Sequence, residues 1–211
     1  MASNRPEPFF FADAVGLDFL NSIATPADEP VEWISSGDDL LEWLEKAGLI
    51  GKNVPKAVRE CALPGELDAV AAQARALREW FRAFVEAHTG KKLEARSVAE
   101  LGPLNRVLRR DEQFGQVEVG SRSDPGLHYV TQRRWRSPEA LLFPIATAIA
   151  DVICNEDFGK IRACEGHKCT VFFADHTRGG VRRWCSMAIC GNRAKQAAHR
   201  ERATVRPKNG T

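Results

Sequence analysis

The feature that most constrains this chain is a pair of matched cysteine spacings near its C-terminal end. Cys164 and Cys169 are separated by four residues, fifteen residues follow, and Cys185 and Cys190 are again separated by four. Two short loops at this distance can place four thiolates around one tetrahedral ion. Zinc is the expected ion, because a closed-shell, borderline-soft cation imposes no geometry of its own and suits thiolates. Four protein ligands leave no open position for water, so the site is predicted to be structural.

Two histidines offer alternative ligands in the same segment. His167 would form a tighter Cys-x-x-His loop with Cys164, and His176 is a weaker competitor. Ligation by all four cysteines is favoured, because replacing Cys169 by His167 would leave a thiol unused beside the metal. A metal-free alternative, with four thiols buried in an ordinary core, fits poorly with a segment that has few aliphatic residues.

The sequence around the cysteines predicts the elements that carry them. Residues 170–174 form a short apolar run typical of a strand, and Gly179 and Gly180 supply a turn after it. From Ala188 onward the sequence favours a helix, with no proline before Pro207. This order predicts a treble-clef-like zinc module, in which metal binding contributes on the order of 10 kcal/mol to folding.

The charge of the chain is divided unevenly between its two parts. The whole chain has a formal net charge of +2, yet residues 160–211 contain twelve Lys and Arg against three acids. Basic residues crowd the second cysteine pair and the predicted helix, which is the electrostatic footprint of a polyanion-binding protein. Alternatively, these residues form a solvated tail or pair with the protein's own carboxylates. The candidate nucleic-acid contacts are Arg182, Arg183, Arg193, Lys195, His199, Arg200 and Arg202.

The sequence before the cysteine pairs predicts a mostly helical domain. Ser36 is expected to cap a helix that Gly48 ends, and Pro64 to open the longest helix, whose apolar spacing continues to Val85. Another apolar stripe begins after Ser137. A short helix near residues 15–23, a strand or extended segment at 31–34 and a weaker helix at 97–110 are also expected. The charged positions of the longest helix are expected to face solvent: Arg75, Arg78, Glu79, Arg82 and Glu86.

Two runs of alternating residues predict a β-hairpin. They cover residues 113–119 and 127–134, and the sequence Ser-Asp-Pro-Gly between them favours a turn. The predicted fold class is therefore α+β, with a predominantly helical N-terminal domain that contains a small β-hairpin, followed by the treble-clef-like four-cysteine module. The predicted boundaries are residues 1–157 for the domain, 158–205 for the module and 206–211 for a frayed tail.

Two polar residues stand inside the apolar surround of the first short helix. Asp18 and Asn21 are expected either to hydrogen-bond neighbouring backbone or to offer polar groups to a ligand pocket. The remaining cysteines, Cys61 and Cys154, are expected to be buried or half-buried thiols.

Several motifs in this chain resemble a known bacterial family. Residues 184–187 (WCSM) followed by 190–193 (CGNR), together with Arg182 and Arg183, resemble the CGNR zinc finger. Residues 16–22 (GLDFLNS) and 39–44 (DLLEWL) resemble the ABATE domain that accompanies that finger. The resemblance implies a stress-induced transcription regulator whose finger binds DNA and whose N-terminal domain senses a ligand.

The sequence also predicts where the protein works and with what. The polar first residues are not expected to form a secretory signal, and metal-type cysteine pairs suit a reducing cytoplasm, so a cytoplasmic protein that does not enter a membrane is expected. The expected partners are DNA, a small-molecule effector and, in a homodimer, a second copy of the chain. We find no phosphate-binding loop, nucleophile elbow or His-Glu-x-x-His motif, so no enzymatic activity is predicted. The alternatives are a small-molecule binding protein whose zinc module only braces the core or a dimer interface, and an enzyme acting through its N-terminal domain.

Overall fold

A computed structural model of the chain describes residues 5–27 and 29–205. The predicted tail at residues 206–211 lies outside the described residues. The α-helices are α1 (Val15–Leu20), α2 (Gly37–Lys46), α3 (Val54–Cys61), α4 (Glu66–His88), α5 (Gly102–Leu108), α6 (Leu142–Asn155) and α7 (Asn192–Val205). The strands are β1 (Ile23–Ala27), β2 (Glu29–Glu32), β3 (Gln113–Val119), β4 (Leu127–Arg133), β5 (Ile161–Ala163) and β6 (Phe172–Ala174).

The strands form three separate antiparallel pairs, β1 with β2, β3 with β4, and β5 with β6. The β3–β4 pair runs in continuous register from Gln113 opposite Arg133 to Val119 opposite Leu127. This is the hairpin predicted from the alternating sequence. The combination of mostly helical structure, small two-stranded sheets and a C-terminal cysteine cluster confirms the α+β fold class.

The capping of α2 follows the sequence closely. The Ser36 hydroxyl accepts a hydrogen bond from the Asp39 amide at 3.2 Å, and the Asp39 carboxylate accepts one from the Ser36 amide at 3.1 Å. These reciprocal bonds satisfy amide groups that a helix start leaves without partners. Gly48 follows the last turn at φ +70°, a left-handed conformation that glycine adopts without a side-chain clash.

Several expectations about element boundaries were wrong. The longest helix, α4, begins at Glu66 after Gly65 at φ +79°, so Pro64 precedes the helix. Strand β2 ends at Glu32, whereas a strand or extended segment was expected at residues 31–34. Helix α3 and strand β5 were not predicted, because each is too short for its periodicity to stand out. Cys61 and Cys154 are exposed.

One charged residue of α4 is a core residue, contrary to the expected solvated face. The Arg78 side chain is 2% exposed. Its two terminal nitrogens donate to both carboxylate oxygens of Glu32, at 2.8 and 2.6 Å, and one also donates to the Ser22 hydroxyl at 2.9 Å. This fork-to-fork pairing satisfies a charge that would otherwise be costly to bury, and it ties α4 to β2.

Helix α6 and the turn before it form the centre of the core. Leu141, Ile145, Ile149 and Val152 have no exposed surface. By length and composition alone the segment Pro138–Asn155 could cross a membrane, but most of it is buried inside the protein, as in any apolar core helix. Gly16 of α1 lies against this helix, where an added Cβ would come within 2.4 Å of the Ala148 carbonyl oxygen. The close approach explains why a glycine is needed there.

The cysteine-containing module shares this core with the helical domain. Val171, Phe173 and Phe158 are buried in the same hydrophobic cluster as the side chains of α1, α4 and α6. Backbone bonds also cross the junction: the Ala174 amide donates to the Ala12 carbonyl at 2.9 Å, and the Gly90 amide donates to the Phe158 carbonyl at 2.8 Å. The module is therefore packed onto the domain along a continuous interface.

Candidate metal centre and nucleic-acid interface

The four predicted cysteines come together in the structure. Their sulfur atoms all lie within 4.8 Å of one another. The Cys185 sulfur is 3.9 Å from that of Cys169 and 3.6 Å from that of Cys190. Four sulfurs placed at 2.3 Å around a tetrahedral zinc would be about 3.8 Å apart. The cluster therefore has the dimensions of a four-thiolate zinc site.

The first pair is positioned by a tight loop between β5 and β6. The Cys164 amide donates to the Val171 carbonyl at 2.9 Å, and the Cys169 amide donates to the Gly166 carbonyl at 3.0 Å. Lys168 adopts a left-handed φ of +57° within the loop. A Cβ on Gly166 would lie 2.7 Å from the Cys190 sulfur. Glycine is thus required where the loop backbone faces the second cysteine pair.

The second pair flanks an unusual helical turn. Cys185 lies two residues before the π-helical turn Met187–Gly191, which contains Cys190 and leads directly into α7. Such single turns widen the backbone locally and are frequent at functional sites. Here the turn brings Cys190 back toward Cys185 and fixes where α7 starts.

Backbone amides around the cluster favour thiolates. The Cys164 sulfur accepts hydrogen bonds from the Cys185 amide at 3.2 Å and the Gly166 amide at 3.4 Å. Hydrogen bonds from the Cys169 and Cys185 thiols, with these amides, lower the pKa of Cys164 to about 2. The hydrogen bond with Cys164 is the main cause that raises the pKa of both Cys169 and Cys185. A divalent cation among the sulfurs would displace the remaining thiol protons.

The alternative histidine ligands lie apart from this cluster. The group of close metal-binding side chains found among the described residues includes neither His167 nor His176. His167 is exposed on the first cysteine loop. His176 is exposed as well, and its Nε2 atom lies 2.8 Å from a Glu156 carboxylate oxygen. The geometry therefore favours the four cysteines over either histidine.

The side chain of Arg182, one of the candidate nucleic-acid contacts, is directed into the protein. Its guanidinium group has five N–H donors, and all five make hydrogen bonds within the chain. The group also stacks on the Phe173 ring, 4.1 Å from the ring centre. The acceptors are the Asp13 carboxylate and the carbonyl groups of Phe11, Ala174, Trp184 and Cys185. Arg182 thus joins the second cysteine pair to the N-terminal segment and has no N–H left for a phosphate.

The loop before Arg182 is organised by a buried carboxylate that sequence reasoning did not single out. Asp175 has no exposed surface, and its oxygens accept bonds from the Thr177 amide at 2.9 Å and the Arg182 amide at 3.0 Å. Burial opposes ionisation, but these bonds lower the pKa of Asp175 below its usual value. The Asp-x-Thr sequence is a turn signal that could have identified this role.

The next two arginines lie at the edge of the metal cluster. Arg183 is exposed, pairs with Glu165 at 2.6 Å and lies over the Trp184 ring at 5.0 Å from its centre. Arg193 is half-buried, and its terminal nitrogen is 3.6 Å from the Cys190 sulfur. Arg183 is available to a polyanion if it exchanges a surface ion pair, whereas Arg193 is partly committed to the metal ligand.

Helix α7 presents the remaining basic residues to solvent. Every side chain from Lys195 to Arg202 is exposed, including His199 and Arg200. The main packing of α7 is against the π-helical turn that precedes it. A helix this polar and this exposed gains little from packing, so the metal cluster at its first turn is what anchors it.

Asp18 and Asn21 use their polar groups inside the protein. Asp18 is 6% exposed, and its carboxylate accepts a hydrogen bond from the Ala12 amide at 3.0 Å. The Asn21 side chain donates to the Phe172 carbonyl at 2.7 Å and accepts from the Phe172 amide at 3.0 Å. Asn21 therefore pairs with β6 much as a neighbouring strand would. These contacts correspond to the first of the two roles expected for this pair, bonding to backbone.

A groove of about 440 Å³ lies where the module meets the helical domain. Its walls come from β1 and α4 on one side and from the first cysteine loop on the other. Arg82 and Glu79 provide charged groups, and Ile23, Ala24 and Phe172 provide apolar surface. Sequence patterns do not reveal this groove, because its walls are far apart along the chain.

Comparison with known families agrees with this geometry. Residues 13–156 match the model of the ABATE family, described as "Putative stress-induced transcription regulator", and residues 160–203 match that of the CGNR zinc finger. A comparison with curated proteins gives no match. The two families are of the regulator and zinc-finger types, and the finger together with the four clustered cysteines supports a single structural zinc ion. The chain therefore belongs to the ABATE family and carries a C-terminal CGNR zinc finger.

Proposed function

We propose that this protein is a DNA-binding transcription regulator. In this proposal Cys164, Cys169, Cys185 and Cys190 each give one thiolate to the zinc ion, and α7 is the element that meets DNA. The observation that carries the proposal is the exposed basic surface of α7, which begins two residues after a metal-binding cysteine. The zinc supplies no chemistry in this role; it holds the start of the helix in place.

The dimensions and charge of α7 support binding in a groove of duplex DNA. Its 14 residues correspond to about 21 Å of helix, and the major groove of DNA admits an α-helix. Lys195, Arg200 and Arg202 lie on the helix, with Arg183 and Arg193 near its start. If about five phosphates are neutralised, the logarithm of affinity should fall with the logarithm of salt concentration with a slope of about −4.5.

The proposal is tested by binding measurements over a series of salt concentrations. Duplexes selected from a random pool would be titrated with wild type and with a Lys195→Ala/Arg202→Ala variant. The two positions are seven residues apart and therefore share one face of α7. Their loss should reduce the slope by about 1.8 in magnitude without changing the zinc content.

The matched control removes two exposed basic residues from the helical domain. Lys91→Ala/Lys92→Ala changes the net charge by the same amount, so any general effect of charge on association appears in both variants. The control should keep the wild-type slope. A salt-independent wild type, or equal losses in the two variants, would remove the DNA-binding proposal.

We further propose that the groove between the domain and the finger is the effector site. One wall contains Cys169 and Thr170 of the zinc loop, so a ligand in the groove touches both parts of the protein. Its apolar surface and the partly buried Arg82 suit a small amphipathic molecule. A thermal-shift screen of metabolites against wild type, Ala163→Leu, which narrows the groove, and Ala69→Leu, an exposed position on α4, tests this site.

A coupled sensor imposes one further condition. If the effector changes DNA affinity, DNA must change effector affinity by the same factor. A hit that stabilises wild type and Ala69→Leu but not Ala163→Leu supports the groove. Equal stabilisation of all three proteins places the effector elsewhere.

One observation favours the second candidate function, a small-molecule binding protein in which the finger is only structural. Arg182 is turned inward, so part of the basic cluster serves the interface between finger and domain. If this second function is the true one, the protein would bind the effector but show no salt-dependent affinity for DNA. We infer a cytoplasmic location under either function, because four zinc-binding thiolates are maintained in a reducing compartment.

A further inference from the structure

The β3–β4 hairpin carries a large apolar surface that faces solvent. Val117, Val119, Leu127 and Tyr129 are between 64% and 81% exposed. Val117 lies opposite Tyr129 and Val119 lies opposite Leu127 in the ladder, so the four side chains are neighbours on one face. We call these four residues the hairpin patch.

The face opposite the hairpin patch is the less exposed of the two. In most hairpins the apolar face packs on the core and the polar face meets water. Here the opposite face carries Phe114 and Val130 together with Gln116, Glu118 and His128, all half-buried, whereas the four apolar side chains of the hairpin patch are exposed. A two-stranded hairpin with an uncovered apolar face is marginally stable on its own. The exposure of the patch therefore needs a reason other than folding.

The tyrosine of the hairpin patch also covers a glycine toward the base of the hairpin. An added Cβ on Gly115 would lie 1.9 Å from the Tyr129 hydroxyl oxygen, so the tyrosine ring covers the glycine across the two strands. Such cross-strand covering of a glycine by an aromatic ring helps to fix the register of the two strands. The register in turn fixes the relative positions of the four patch side chains.

We propose that the hairpin patch is a homodimer interface, in which the patches of two copies of this chain pack face to face around a twofold axis. The remaining residues of this face toward the base, Gln113, Gly115 and Thr131, carry no charge. The nearest cation along it, Arg133, is paired with both carboxylate oxygens of Asp111 at 2.6 and 2.7 Å. Two identical patches can therefore meet without bringing like charges together.

The area of the patch is consistent with a second copy as the occupant. The four side chains expose on the order of 500 Å² per copy, which is the size of the largest apolar patch on a typical monomer, and such patches are often functional. Two copies would bury about 1,000 Å² in total, which is near the lower limit for a specific interface. A lipid surface is a poorer fit, because the hairpin turn carries Asp124 beside Arg122 and so lacks a basic rim. The proposal goes beyond DNA binding and does not depend on it.

The oligomeric state of the full zinc-loaded chain tests this interface. Sedimentation equilibrium between about 1 and 200 µM should show a monomer–dimer equilibrium for wild type, as expected for an interface of this size. Val119→Lys/Leu127→Lys places like charges at the twofold contact and removes apolar surface from both copies. It should weaken dimerisation by at least about 100-fold. Leu63→Lys/Val98→Lys, at exposed apolar positions outside the hairpin, should dimerise like wild type.

A second measurement keeps the proposal testable if the lysine variant does not fold. Val119→Cys in a Cys61→Ser/Cys154→Ser background should form a disulfide-linked dimer under mild oxidation with zinc retained, whereas Val98→Cys in that background should not. A wild-type monomer at 200 µM would overturn the proposal. So would a dimer that survives the hairpin substitutions, or a patch that binds lipid vesicles while the protein stays monomeric.

Discussion

Replacing Asp18 by asparagine is expected to stabilise the protein at pH 8 and to change its stability little at pH 4. The Asp18 carboxyl is 6% exposed and lies at the junction of α1 with the N-terminal segment. Burial raises its pKa from 3.8 to about 7, although hydrogen bonds from the Ala12 and Phe11 amides and the charge of Arg182 act in the opposite direction. Nearby Asp13 adds to the increase. Asp18 is therefore largely protonated in the folded protein below neutral pH.

The direction of the pH effect follows from proton counting. Between pH 3.8 and 7 the folded state binds the Asp18 proton and the unfolded state releases it. The free energy of unfolding therefore falls as pH rises through this range. The stability that the neutral carboxyl provides is fully present below pH 3.8 and is lost as pH passes 7. At 1.36 kcal/mol per pH unit, the difference between the two pKa values corresponds to about 4 kcal/mol.

Asparagine isolates this contribution because its side chain resembles the protonated acid. Its carbonyl oxygen can still accept from the Ala12 amide, and it remains neutral at every pH. The free energy of unfolding would be measured by urea denaturation of zinc-loaded protein at pH 5, 6, 7 and 8. Differences between wild type and variant cancel the pH dependence that metal binding imposes on both. Asp124→Asn, at the exposed hairpin turn, is the matched control.

The difference in unfolding free energy between Asp18→Asn and wild type should grow by a few kcal/mol from pH 5 to pH 8. The control should show a constant difference. If the Asp18→Asn difference is the same at all four pH values, the carboxyl is already ionised in the folded protein and the reasoning from its burial is wrong.

Three further predictions concern the junction and the metal. Asn21→Ala should lower the free energy of unfolding by about 2–4 kcal/mol, because it leaves the buried amide and carbonyl of Phe172 without partners. In the same urea titration, the control Asn53→Ala, at an exposed position, should change this free energy little. Arg182→Lys should lower the free energy of unfolding nearly as much as Arg182→Ala, because a lysine has three donors for five acceptors. Neither variant should alter the salt slope of DNA binding, and a smaller slope would mean that Arg182 contacts DNA. Removing zinc with a chelator should disorder the finger and also lower the thermal unfolding midpoint of the helical domain, because the two share one core. An unchanged midpoint, measured by tryptophan fluorescence, would show that the finger and the domain unfold independently.

The metal site was predictable from the sequence because ligand spacing is a local property. Four thiols in two short loops restrict the geometry whatever the rest of the chain does, and the structure brings their sulfurs together as expected. The hairpin at β3 and β4 and the capped start of α2 were predictable for the same reason, since alternation and capping act over a few residues. These are interactions between neighbours in sequence.

The features that could not be predicted depend on partners distant in sequence. Nothing local distinguishes the inward-facing Arg182 from exposed Arg183, because the acceptors of Arg182 include Phe11 and Asp13. Arg78 lies four residues after Ala74 and three before Phe81, which is the spacing of the buried face of α4. Its charge nevertheless predicts an exposed position, and only the pairing with Glu32 and Ser22 makes its burial possible. The hairpin patch could not be predicted either, because a correctly predicted alternation does not show which face of the hairpin is the more exposed.

The pairing of Asn21 with Phe172 has a consequence for how the basic helix can act. A finger on a flexible tether explores many orientations and loses that freedom when it engages a target. Here the side chain of Asn21, the residue after α1, pairs with strand β6, so the module that carries α7 is already held on the helical domain before any encounter. Such a helix gives up little freedom on contact, and it cannot swivel to accommodate a target whose shape differs from the one it fits.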